Sequence, residues 1–279
     1  MEYRVTEPML AREAIRRLYP QSSRRTLQNW LRGGRFAVDG QPLYRESDPL
    51  QEGQVVTARE GYRVRRFIAD MELLYEDRYV VAIHKPQGLL SVPLDEQGLE
   101  SHALGLLKGY YGTSQIYPVH RLDREASGVL VFARGKESEE RLKAQFEAHK
   151  PRREYVAVVH GHIEEQKGTW NIPLLELPSF RVVVSSDGRD AITHYEVIRR
   201  SKKYTYLKLF LETGRKHQIR VHCSHAGHPI VGDERYGSDE DPIGRMCLHA
   251  RDLQISHPFT EKPLHFESAP PGPFRKLGL

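Results

Sequence analysis

Cysteine is nearly missing from this chain. Only Cys223 and Cys247 occur among 279 residues, which excludes a disulfide framework, and with no CxxC pair there is no seat for a structural zinc. Long apolar runs are missing too: Val80–Ile83 and Val129–Ala133 are far too short to cross a bilayer. The opening MEYRVTEPML carries acidic residues and lacks the apolar core of a secretory signal. There is no HExxH and no glycine-rich phosphate loop. Membrane protein, secreted mini-domain and zinc ribbon are thereby set aside, and the cytoplasm is the expected compartment. What is present is the composition of a soluble globular chain. It is 39% hydrophobic and 28% charged with a mean hydropathy of −0.59, enough for one large domain with or without a small one.

Lysine is absent from residues 1–68, which hold 13 Arg against 8 Asp and Glu; the remainder holds 29 basic and 29 acidic residues. The whole net charge of +5 therefore sits at one end. An arginine-only excess suggests a phosphate-facing module, because the guanidinium fork matches phosphate oxygens bidentately. The competing reading is an ordinary solvated face.

Residues 8–19 place Leu10, Ala14, Ile15 and Leu18 on one helical face, and Pro20 ends that helix. Ser22 or Ser23 can cap a second helix carrying Leu27, Trp30 and Leu31, which stops at Gly33-Gly34. Phe36 and Val38 alternate before an Asp39-Gly40 turn, a hairpin signal, and Val55–Thr57 reads as a last short strand. After EGYRVRR at Glu60–Arg66 the pattern changes. The chain thus divides into a small α+β module, 1–62, a linker, 63–69, and a second domain, 70–279. In the latter, strands are expected at Met71–His84 (broken near Glu76-Asp77), Gln115–Val119, Val129–Ala133, Tyr155–Val159, Val182–Val184, Ile192–Ile198, Tyr204–Leu211 and Ile219–His222. Helices are expected at Gly98–Tyr110 and Glu137–Lys150. The second has Leu142 and Phe146 inward and the pairs Glu137/Arg141 and Glu139/Lys143 outward. With so few helices to cross between parallel strands, the fold class is α+β with a mixed, mainly antiparallel sheet.

Three segments could carry chemistry. VHRLDREASGVLVFA, 119–133, sets His120, Arg121, Asp123 and Arg124 in a polar loop between apolar strands. A charged surface turn is the plainer reading, but a carboxylate against an apolar wall needs a cationic partner to stay ionised. LETGRKHQIRVHCSHAGHPIVGDERYG, 211–237, supplies cations and four histidines, at 217, 222, 225 and 228. A metal site is disfavoured there because the carboxylates lie outside the cluster. KPRREYVAVV, 150–159, opens a strand at Tyr155, by default a half-buried aromatic.

HRLDREASG resembles the signature of the RluA-type pseudouridine synthases. VVAIHKPQGLLSVP (80–93), REYVAV (153–158), TGRKHQIRVH (213–222) with GHPIVGDERYG (227–237), and CLHA (247–250) resemble that family's other blocks, in order. His84, Ala126, Arg153 and Lys216 depart from its commoner residues, none at a position to which the family assigns chemistry. The first 60 residues resemble the alpha-L RNA-binding motif of ribosomal protein S-four type, without that motif's customary opening Arg and Asp in Val5–Arg12.

The resemblance implies a pseudouridine synthase fold, Asp123 as the catalytic carboxylate, Arg220 as its cationic partner and Tyr155 against the uracil ring. It also implies Arg121 as the residue that fills the space vacated by a flipped base. Along with Arg121, the residues expected to meet RNA are His120, Arg215, His217, Arg24, Arg25 and Arg32. No cofactor and no metal are expected, since isomerising uridine needs neither redox change nor an external nucleophile. The expected partner is structured RNA, ribosomal of the large subunit rather than tRNA, met by a monomer with no membrane association. A non-catalytic RNA-binding protein and a metal-dependent nuclease using the histidines are the alternatives. Joint presence of Asp123, Tyr155 and Arg220 argues against the first, and the lack of a carboxylate-rich metal site argues against the second.

Overall fold

The computed structural model describes residues 2–32, 35–43, 45–58, 66–93 and 102–277, apart from the side chains of Arg25, Asn29, Arg32, Pro42, Arg66 and Arg275. The chain forms two compact units, Met1–Leu74 and Tyr75–Leu279.

In the first unit, helix Ala11–Leu18 buries Ala11, Ala14, Ile15 and Leu18 on the face read from the sequence. Ser23 caps helix Arg24–Arg32, its Oγ accepting the Thr26 N–H at 3.2 Å. The helix stop at Gly33-Gly34 lies outside the described residues. The Asp39-Gly40 turn has φ of 49° and 81° and joins Phe36–Val38 to Gln41–Leu43. Both residues are thus left-handed, as the tight hairpin turn that matches strand twist requires. The Asp39 carboxylate also accepts the Val55 N–H at 3.0 Å, tying the turn to strand Val55–Ala58. Of the expected linker, 63–65 lies outside the described residues, while Arg66–Ile68 is a strand paired with Met71–Leu73. Phe67 and Ile68 give that stretch strand character the linker reading overlooked.

The second unit is built on a sheet whose strands run in the order Lys167–Asn171, Ile192–Arg200, Tyr204–Leu211, Arg152–His160, Leu248–Ser256, Ser127–Arg134 and Val80–Lys85. Ile116–Pro118 pairs with Ser127–Arg134, and Pro263–Glu267 with Leu248–Ser256. Among the described residues every pairing of these strands is antiparallel except that of Ser127–Arg134 with Leu248–Ser256, a short parallel contact matching Ser127 to His249 and Gly128 to Ala250. The sheet is therefore mixed and mainly antiparallel, as expected. Val80–Ile83, Val129–Ala133 and Val156–Val159 are buried along their whole length, the mark of strands covered on both faces.

One expected strand is a helix. Gln218–His225 is α-helical, entered through His217 at φ 53°. Alternating Ile219 and Val221 look strand-like, but every residue from Gln218 to Cys223 is buried, so no solvent face exists to fix a period of two or of 3.6. Helix Ala103–Tyr111 begins later than read, the stretch 98–101 lying outside the described residues. In helix Lys136–Glu147 the Glu137–Arg141 pair is exposed as expected, whereas Glu139 is buried and takes both Lys136 and Lys143.

Candidate active site

The loop bearing Asp123 is fastened on both sides. Ahead of it, the Ser91 hydroxyl donates to the Leu122 carbonyl at 2.8 Å and accepts the Leu122 N–H at 3.0 Å. Behind it, the Arg124 carbonyl accepts the Gly88 N–H at 2.8 Å, and Arg124 Nε returns a bond to the Gly88 carbonyl. The ammonium of Lys85, fully buried, donates to the carbonyls of Pro86, Leu89 and Arg124. Burial pulls Lys85 down to about 7, against the raising influence of Asp123 and Glu125. The loop then enters the sheet at Gly128, with φ 123°, where an added Cβ would stand 2.1 Å from the Ala250 carbonyl oxygen. Beside it, Ser127 Oγ and His249 Nδ1 are 2.9 Å apart, both buried. Only glycine permits this approach of two backbones.

Facing the loop, the helix Gln218–His225 turns Arg220 inward. Gln218 locks the helix start, accepting from the Thr213 hydroxyl and the Arg215 N–H and donating to the Ile192 carbonyl and Thr193 Oγ1. Arg220 forms a two-pronged pair with Asp233, Nε to Oδ2 at 2.7 Å and Nη2 to Oδ1 at 2.8 Å. That leaves Nη1 to meet Asp123 Oδ2 at 3.1 Å and Glu125 Oε2 at 3.4 Å. Burial alone would lower the guanidinium, but the hydrogen bonds and charge of Asp233, followed by those of Asp123, outweigh it and hold Arg220 above its ordinary range.

Tyr155 reaches the same cavity from strand Arg152–His160. The register against Leu248–Ser256 shifts between Glu154 and Tyr155, an irregularity of the kind that re-aims a side chain. Burial raises the Tyr155 phenol, so it stays protonated at neutral pH. His217 completes the wall, with Nε2 3.9 Å from Asp123 Oδ1. Burial holds it below its usual range despite the Asp123 carboxylate, so at pH 7 this contact is not an ion pair. Tyr236 holds the ring in place: its hydroxyl accepts the Val182 N–H at 3.2 Å and lies 2.7 Å from His217 Nδ1.

One cavity is thus lined by Arg121, Asp123, Tyr155, Arg215, His217 and Arg220. Arg121 is exposed at its rim, and Arg215 is steadied by donation from Nε to the Asp190 carbonyl. His120 is half-buried: its Nε2 accepts the Val131 N–H at 3.0 Å, its ring stacks on Phe146, and burial lowers it to about 3, so it braces the loop. Arg24 belongs to the other unit, exposed and 3.7 Å from Glu46, and the side chains of Arg25 and Arg32 lie outside the described residues. The clustered histidines are parcelled out: His222 to Thr193 and the Ile172 carbonyl, His228 to the His160 carbonyl. Reading the sequence missed Asp233, Lys85 and Ser91. Asp233 carried one signal, its place after Gly232, whose φ of 77° and close approach to the Arg245 backbone mark a constrained turn.

Residues 79–225 match the family described as RNA pseudouridylate synthase. The chain is 39% identical to the dual-specificity RNA pseudouridine synthase RluA of Pasteurella multocida, over 72% of this chain and 93% of that protein. It is 34% identical to the ribosomal large subunit pseudouridine synthase D of Pseudomonas aeruginosa, over 92% of this chain and 87% of that one. Among solved structures, human RNA pseudouridylate synthase domain containing 4 aligns with a TM-score of 0.60 at 25% identity, over 73% of this chain and 90% of that chain.

Replacing Asp233 by Asn should destabilise the protein by about 3–5 kcal/mol, since Arg220 would keep its charge in a buried site without its two-pronged partner. Chemical denaturation reads this directly, and a loss below about 1 kcal/mol would contradict the arrangement.

Proposed function

The chain belongs to the RluA-type RNA pseudouridine synthases, isomerases that act on RNA, and on that footing we propose that Asp123 is the carboxylate that breaks and remakes the glycosidic bond of a flipped uridine. The observation that carries this reading is the convergence of Asp123, Tyr155 and Arg220 on one cavity, with Arg220 Nη1 3.1 Å from Asp123 Oδ2.

The reaction must sever the bond from the anomeric carbon to the base nitrogen, turn the uracil, and join the anomeric carbon to ring carbon 5. A single carboxylate suits it: as positive charge develops on the anomeric carbon, Asp123 attacks or stabilises it. A second carboxylate poised to activate water would divert the intermediate to hydrolysis. Glu125 could be mistaken for one, but its oxygen is already engaged by Arg220. Arg220, opposite Asp123, holds the carboxylate in place through a charge-assisted hydrogen bond in a site from which water must be excluded. Tyr155 offers an aromatic face to the uracil and a protonated hydroxyl as hydrogen-bond donor. Drawing the base from a stack costs a few kcal/mol, and Arg121 at the rim takes the vacated space.

The substrate we propose is structured ribosomal RNA of the large subunit, modified in the cytoplasm. Similarity over 92% of the chain to a relative whose name specifies that subunit runs through most of Met1–Leu74, whereas the dual-specificity relative aligns over 72%. The first unit is then an RNA-holding module. Its exposed Arg12, Arg16 and Arg24 line one groove, together with Glu13 and Glu46.

Asp123→Asn should lower pseudouridine formation by roughly 10³-fold or more while RNA affinity stays near wild type, because the carboxylate acts on the sugar and not on phosphate. Carbodiimide-stop primer extension on RNA from cells with and without the gene identifies the site and supplies the assay. Turnover within about tenfold of wild type would remove Asp123 from the mechanism. For the first unit, changing Arg12, Arg16 and Arg24 together to Gln should reduce the slope of log affinity against log salt by about 2–3. An unchanged slope would leave that unit no electrostatic role in binding.

A further inference from the structure

Phe180 is the most exposed large hydrophobic side chain among the described residues, at 69%, against 45% for Ile198 and 38% for Tyr110. Single exposed apolar residues are common and by themselves mean little. This one is also held in a backbone conformation that bulky residues avoid, with φ of 60°. It stands at the tip of the hairpin formed by Leu174–Glu176 and Val182–Val184. The tip is closed by bonds from the Leu177 N–H to the Arg181 carbonyl, 2.8 Å, and from the Phe180 N–H to the Leu177 carbonyl, 2.9 Å. Arg235 Nη2 donates to the Phe180 carbonyl at 2.9 Å. The residue is thus fixed in place, exposed and strained at once. Such strain persists only where the surroundings impose it, and it gathers at ligand contacts.

The hairpin is bolted to the candidate active site. Leu174 and Val182 pack with Val221, from the Arg220 helix, and with Tyr236, the residue that orients His217. Lys216 pairs with Glu176, the strand residue next to the tip, and sets its ammonium 5.0 Å from the centroid of the Phe180 ring. The next residue, His217, contacts Asp123. Arg121, Arg181 and Arg235, all exposed, add positive charge near Glu176, Tyr236 and Phe180, respectively. One part of the ring is approached by a cation, and the rest is open.

We propose that Phe180 is a base-stacking subsite at the mouth of the cavity, receiving an unpaired base of the substrate RNA next to the uridine being isomerised. Stacking on an exposed aromatic is the sequence-tolerant way to hold a single-stranded base, and the surrounding cations meet its phosphates. Lys216, drawn to the ring and tethered by Glu176, keeps the platform at a set distance from the catalytic carboxylate. The inference rests on the chain being an RNA pseudouridine synthase and deepens that reading by naming where a neighbouring base is held.

The test compares the full chain with Phe180→Leu and Phe180→Trp on one RNA carrying the mapped uridine. Binding is followed by fluorescence anisotropy and turnover is followed separately. The leucine variant should bind about tenfold more weakly, with kcat at saturating RNA unchanged and the salt slope of binding equal to wild type, because no charge is removed. Tryptophan should restore affinity to within about twofold. Leucine binding as tightly as phenylalanine, or tryptophan failing to restore the loss, would overturn the subsite while leaving the functional reading intact; the first result would turn the exposed ring over to a protein partner. A wild-type chain that isomerises no uridine would overturn the functional reading and the subsite with it.

Discussion

Asp233 has no solvent exposure, and Arg220 very little, so neither charge could be where it is without the other. Their two-pronged pair is the constraint on which the arrangement of the cavity depends. Desolvating both ions is repaid only if the geometry is good and the remaining donors are satisfied. Here Asp233 takes Nε and Nη2, and the leftover Nη1 is met by Asp123 and Glu125 on the opposite loop. Structural need and chemical need therefore coincide: the atom that Arg220 has left to offer is the one that faces Asp123.

A guanidinium fixed in this way is useful only if the carboxylate comes to meet it. The Asp123 loop has no regular structure of its own, and its order is imposed from Ser91, Gly88 and Lys85 on one flank and from the Ser127–His249 contact on the other. Burying a whole lysine to hold three carbonyls is costly, and the lowering of its affinity for a proton reflects that cost. The return is a carboxylate, Asp123, whose position is set before any substrate arrives, which is where enzymes gain most of their electrostatic advantage.

Much of this was legible in the sequence wherever pattern and partner are local. Ser23, Asp39-Gly40 and the alternating strands each announce themselves within a few residues. Asp123, Tyr155 and Arg220 were legible for another reason: their surrounding blocks resemble a family, which local physics alone would not have picked out. What stayed hidden depends on contacts distant in sequence. The contacts of His120 with Phe146 and the Val131 N–H have no local sign in its charged loop. The helix at Gln218–His225 was read as a strand because burial on all sides erased its period. Lys85, drawn from the apolar run Val80–Ile83 into a carbonyl cage, gave no local sign of its role, nor did Phe180, whose interest lies in a backbone angle.

The claim that Arg220 is held by Asp233 and only lent to Asp123 is tested most directly by a double-mutant cycle of Arg220→Met and Asp233→Asn, read by chemical denaturation. Each single change should leave a charge stranded in a dry site, whereas the double change leaves only a neutral amide there. The account predicts a coupling energy of about 2 kcal/mol or more, with the double variant far less destabilised than the sum of the two singles. Simple additivity, a coupling near zero, would contradict it.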